Sequence, residues 1–138
     1  MNRINITSIS SEYDTQFDCA KITAKLILDK INHHETEKIT NLLIGFDKGF
    51  DRKSICGALS GSIITLNYLL QDANLNPDEI NDHIDDLKSE FINRYGFYNC
   101  CDLNPKPTGK NTAKIQSYQK CHNMIELTTN FSLDTLDL

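Results

Sequence analysis

The stretch from Ser54 to Gln71, SICGALSGSIITLNYLLQ, fixes the kind of fold this chain can adopt. Ile55, Leu59, Ile63, Leu66 and Leu70 recur at steps of three and four, which is one stripe of an α-helix. Ala58, Ile64 and Leu69 fall on other faces, so the helix is apolar nearly all round. Such a helix is stable only when neighbours surround it. An all-α, single-domain bundle is therefore expected, with this helix buried at its centre and Ser54 as its N-cap.

The rest of the chain supplies the neighbours, about five helices in all. Phe17, Ala20, Ala24, Ile27 and Ile31 make one line over about Asp14–Ile31, with Cys19, Ile22 and Leu26 beside it. Ile39, Leu42, Leu43 and Phe46 predict a shorter helix that stops at the turn sequence GFDKGF. Asn76-Pro77-Asp78-Glu79 is a helix start with a cap residue, proline at the first position and acids in the first turn. Ile80, Ile84, Leu87, Phe91 and Tyr95 form its inward face, and Gly96 is expected to end it. Two prolines and a glycine make Asp102–Thr112 a loop. A last helix is expected over roughly Ala113–Thr129, with Ile115, Tyr118, Cys121 or His122, and Ile125 inward, and a tail that packs loosely or frays.

A chain of 138 residues is long enough for one real core, so residues 1–138 are read as one helical domain. Fourteen Lys and Arg against nineteen Asp and Glu give a net charge of −5, the wrong balance for a nucleic-acid partner. The start MNRINITSIS has no apolar run, and Ile63–Leu70 is too short to cross a bilayer. The expected location is the cytoplasm, with no direct membrane insertion.

In that reducing setting five cysteines call for an explanation. Cys19, Cys56, Cys100, Cys101 and Cys121 contain no C-x-x-C pair, so only the fold can gather them. They fall on or beside four different elements. Cys56 is expected in the first turn of the central helix, where unpaired N–H groups and the dipole favour a thiolate. Gly57 and Gly61 stand one turn apart and clear one side of that helix for a close neighbour or a cofactor. Each glycine costs about 1 kcal/mol of helix propensity. Taken singly, Cys19 beside Ile22 and Cys121 beside Ile125 read as packing residues, since thiols behave as small hydrophobes. His33-His34 is expected to be an exposed pair at a helix end, and His122 beside Cys121 a candidate base or ligand.

The ordered pattern resembles the C_GCAxxG_C_C family, small bacterial proteins designated redox-active. The core is Cys56-Gly57-Ala58-Leu59-Ser60-Gly61, and Cys19-Ala20 matches the upstream cysteine. Gly96, Cys100 and Leu103 match the downstream run, and Cys121 the last cysteine, so the likeness covers about residues 17–127. Position 55 is Ile where the family label has glycine, and Cys101 is additional, so the choice of Cys100 rests on Leu103. The resemblance implies thiol redox chemistry at Cys56 with Cys19, Cys100 and Cys121. It also implies a redox partner protein or a membrane transporter as partner. Two other readings stand beside it: an iron–sulfur cluster or zinc held by the same four cysteines, and a helical interaction domain in which they only pack.

Overall fold

The computed structural model describes residues 19–43, 55–99 and 112–137, with side chains in the last stretch described from 123. Among these residues there are five α-helices and no sheet: α1 (Cys19–Lys30), α2 (Thr36–Asn41), α3 (Gly57–Asp72), α4 (Pro77–Tyr95) and α5 (Thr112–Leu136). The expected all-α class is the observed one. Helix α3 packs against α1, α4 and α5, and Ala58, Leu59, Leu66, Leu69 and Leu70 are buried along it.

Two contacts set the direction of α1. The bare face of Gly61 meets the backbone of Ala20, while Leu69, two turns on, shares a cluster with Ile27 and Leu28. The two helices therefore run in the same sense. Leu133 of α5 joins Leu69 at the far end, and Met124 and Ile125 pack in the cluster that holds Cys19, Ile22, Cys56 and Leu59. Helix α4 runs back against this direction from a tight turn after α3. Asn74 takes positive φ there (67°), and the Leu75 N–H donates to the Leu70 carbonyl at 3.1 Å. A capping box between Asn76 and Glu79 starts α4, and Gly96 at φ 80° stops it. That left-handed cap is where a residue without a Cβ is needed.

Several expectations are corrected. The N-cap of α3 is Cys56, and Ser54 lies outside the described residues. The cause is a backbone bridge: Ile55 pairs with Asn99, and the Cys56 N–H donates to the Tyr98 carbonyl at 2.7 Å. This holds Cys56 extended (φ −50°, ψ 132°) and leaves Ile55 ahead of the helix and 43% exposed. Leu42 points to solvent because α2 ends at Asn41, whereas Ile39 and Leu43 are buried. The tail does not fray. Helix α5 continues to Leu136 because Leu133 docks into the second cluster and Ser132 and Thr135 donate to carbonyls one turn back. Of the histidine pair, His34 is exposed but His33 is half-buried: its Nδ1 accepts the Glu35 N–H at 3.1 Å, and its ring stacks on His34. Phe17, Phe46 and the 102–111 loop lie outside the described residues.

The Gly61 contact gives a prediction with a definite sign. A Cβ at Gly61 would stand 2.6 Å from the Ala20 oxygen and 2.8 Å from its Cα. Both are backbone atoms, so α1 would have to move. Helix propensity favours Gly61→Ala by about 1 kcal/mol, and overpacking costs about 1–3 kcal/mol. The clash should win. Denaturant melts should show Gly61→Ala less stable than wild type; a more stable variant would mean that the helices can part freely.

Candidate thiol site

The two cysteines with described side chains sit at the same end of the bundle. Cys19 opens the described part of α1, next to the Ala20 backbone that Gly61 receives. Cys56 caps α3, one turn before Gly61. They are 5% and 3% exposed, share one core cluster, and are both thiols. Gly57 is also buried. The close approach that the glycine spacing predicts is thus made by α1, and it brings in the element that carries Cys19.

Each cysteine is followed four residues later by a hydroxyl that bonds back to it. Thr23 Oγ1 donates to the Cys19 carbonyl at 2.7 Å. Ser60 Oγ lies 3.3 Å from both the Cys56 and Gly57 carbonyls, a long and shared bond. The Cys56 carbonyl also accepts the Ser60 N–H at 2.9 Å. The Cys56 side chain makes no capping hydrogen bond, so its sulfur does not saturate the N–H groups of the first turn. Those groups favour a thiolate, and burial opposes one.

The end of α4 closes the site. Tyr98 holds Cys56 through its carbonyl, and the Tyr95 ring packs on the core cluster with its centroid 5.1 Å from that of Phe91. Burial pushes the Tyr95 phenol above its ordinary value. Arg94 works against this, and negative charge at Cys56 and at Glu126 of α5 adds to it. The sequence marks Tyr95 only as a core residue; its link to Cys56 depends on α4 folding back over α3, which no local spacing shows. The hydroxyls at 23 and 60 were missed from the sequence, although a C-x-x-x-[S/T] spacing could have marked them.

The remaining positions are fixed less fully. Cys121 lies in the backbone of α5, one turn before Met124 and Ile125, but its side chain and that of His122 lie outside the described residues, as do Cys100 and Cys101. Cys100 follows Asn99 directly in the chain, and Asn99 is bridged to Ile55. Among the described residues no three His, Cys, Asp or Glu side chains group as metal ligands.

A profile of the family described as "Putative redox-active protein (C_GCAxxG_C_C)" matches residues 17–134. The chain belongs to the C_GCAxxG_C_C family. The match spans nearly the whole bundle, from before Cys19 to the last turns of α5. No curated protein and no solved structure matches the chain. Among the described residues no helix is long and apolar enough to cross a membrane.

The cap position orders the two thiols. Cys56 should ionise at lower pH than Cys19, because Cys56 is the N-cap of α3. Alkylation of the native protein across pH, read peptide by peptide, checks this; equal midpoints would remove the helix-terminus argument.

Proposed function

We propose that this protein is a thiol redox protein in which Cys56 is the reacting thiol and Cys19, Cys100 or Cys121 resolves it. The observation that carries the reading is the Gly61–Ala20 contact, which seats the Cys19 end of α1 beside the capped end of α3. Membership of a family designated redox-active supports it. The Cys56 thiolate attacks one sulfur of a partner disulfide, forming a mixed disulfide as the partner's other sulfur leaves as a thiolate. A second cysteine thiolate then attacks Cys56, closing an internal disulfide and releasing the partner's remaining sulfur. Two thiols lose two electrons and two protons, and the partner disulfide gains them. The partner is a redox protein or a membrane transporter, and the reducing cytoplasm would reset the dithiol.

A second reading uses the same cysteines to hold zinc or an iron–sulfur cluster. It is favoured by the burial of Cys19 and Cys56, because thiolates inside a core need a cation beside them. The described residues offer two thiols, and a four-thiolate site would draw the others from Cys100 and Cys121.

Anaerobic purification, metal analysis and a visible spectrum, followed by oxidation in a disulfide redox buffer, separate these readings. The expected protein is colourless and metal-free, and it loses two hydrogens in mass on oxidation, with Cys56 in the bond. Stoichiometric iron or zinc would transfer the cysteines to the metal reading. Cysteines that neither oxidise nor bind metal would leave a packing role alone.

A further inference from the structure

Cys56 is only 3% exposed, so the charge on its sulfur during reaction needs a polar neighbour at the edge of the core. The structure offers Tyr95. It occupies the last turn of α4, three residues before the Tyr98 carbonyl that binds the Cys56 N–H at 2.7 Å. Its ring lies against Phe91, packs on the cluster that contains Cys56, and is half-buried. The half-buried phenol thus stands at the edge of the core cluster that holds Cys56.

We propose that Tyr95 is a positioning residue for the thiol reaction, turning its O–H toward the Cys56 sulfur as the thiol ionises and so holding the thiolate. The role deepens the proposed function and rests on Cys56 being the reacting thiol. The proton leaves Cys56 for solvent, Tyr95 keeps its own, and no electron moves in this step. A hydrogen bond donated to a charged acceptor is among the stronger kinds.

The charges around Tyr95 fit this role. Burial is the main cause that pushes the phenol above its ordinary value. Arg94 on α4 opposes it, while charge at Cys56 on the α3 cap and at Glu126 on α5 reinforces it. A phenol kept neutral in the neutral pH range is a donor, whereas a tyrosinate would repel the thiolate. The coupling between the two sites is mutual, so each should feel the ionisation of the other.

Two measurements on the reduced, full-length protein test it. The first is the alkylation rate of Cys56 against pH in wild type and in Tyr95→Phe, which keeps the ring on Phe91. The Cys56 midpoint should rise by about one pH unit, slowing reaction at neutral pH roughly tenfold, while the Cys19 profile stays in place. The second follows the Tyr95 phenol by carbon-13 NMR of labelled tyrosine in wild type and in Cys56→Ser. Without the thiolate, Tyr95 should titrate lower, because the charge at Cys56 is one of the causes that raise it. This readout decides the matter if Tyr95→Phe does not fold. A Cys56 midpoint unmoved by Tyr95→Phe, or a Tyr95 titration indifferent to Cys56→Ser, overturns the proposal. Neither measurement needs a disulfide to form, so failure here is distinct from failure of the redox reading.

Discussion

The arrangement depends on one backbone contact. At Gly61 the central helix carries no Cβ, and the carbonyl and Cα of Ala20 occupy the space where one would be. The approach fixes the height of α1 against α3, and with it the height of the Cys19 end of α1 beside the start of α3. A larger residue at 61 would hold the helices apart and slide every later contact, including Leu69 against Ile27 and Leu28. The helix-propensity cost of the glycine is thus offset by packing, and the packing is what brings a cysteine in.

The same end of the bundle is closed by elements that ordinary helix rules do not require. The bridge from Ile55 to Asn99 and the Cys56–Tyr98 hydrogen bond pin the start of α3 to the end of α4. An extended cap held in this way sets the Cys56 carbonyl into the helix while its side chain makes no capping hydrogen bond to the first-turn N–H groups. Around it the helix interfaces are lined with small hydroxyl residues. Thr23, Ser62, Thr128 and Ser132 are buried and donate to carbonyls of the preceding turn, which satisfies them without a partner from another helix. Thr65 and Thr129 are exceptions, buried with no hydrogen bond from their hydroxyls among the described residues. Small side chains that satisfy themselves let helices come close.

Much of this was legible in the sequence. The periodic apolar residues gave the helices and most of the core. Asn76-Pro77 and Gly96 gave both ends of α4, because caps are local chemistry. The glycine spacing pointed to a close neighbour, and the cysteine order pointed to the family. What failed locally did so for a tertiary reason. Ser54 looked like the cap, but a bridge to a segment more than forty residues away moved the start of α3 to Gly57. The tail after Thr129 looked weak, but Leu133 had a pocket waiting among Ile27, Leu28, Ile39 and Leu69. Tyr95 was read as core because only the antiparallel return of α4 sets it on the cluster that holds Cys56.

The central claim is that the Gly61–Ala20 contact delivers Cys19 to Cys56. Its most direct test is disulfide mapping in a protein whose Cys100, Cys101 and Cys121 are replaced by serine. Mild oxidation under native conditions should then join Cys19 to Cys56 within one chain, and Gly61→Ala should slow that bond. If peptide mapping finds both thiols still reduced, or bonded only between molecules, α1 does not bring its cysteine within reach of the α3 cap.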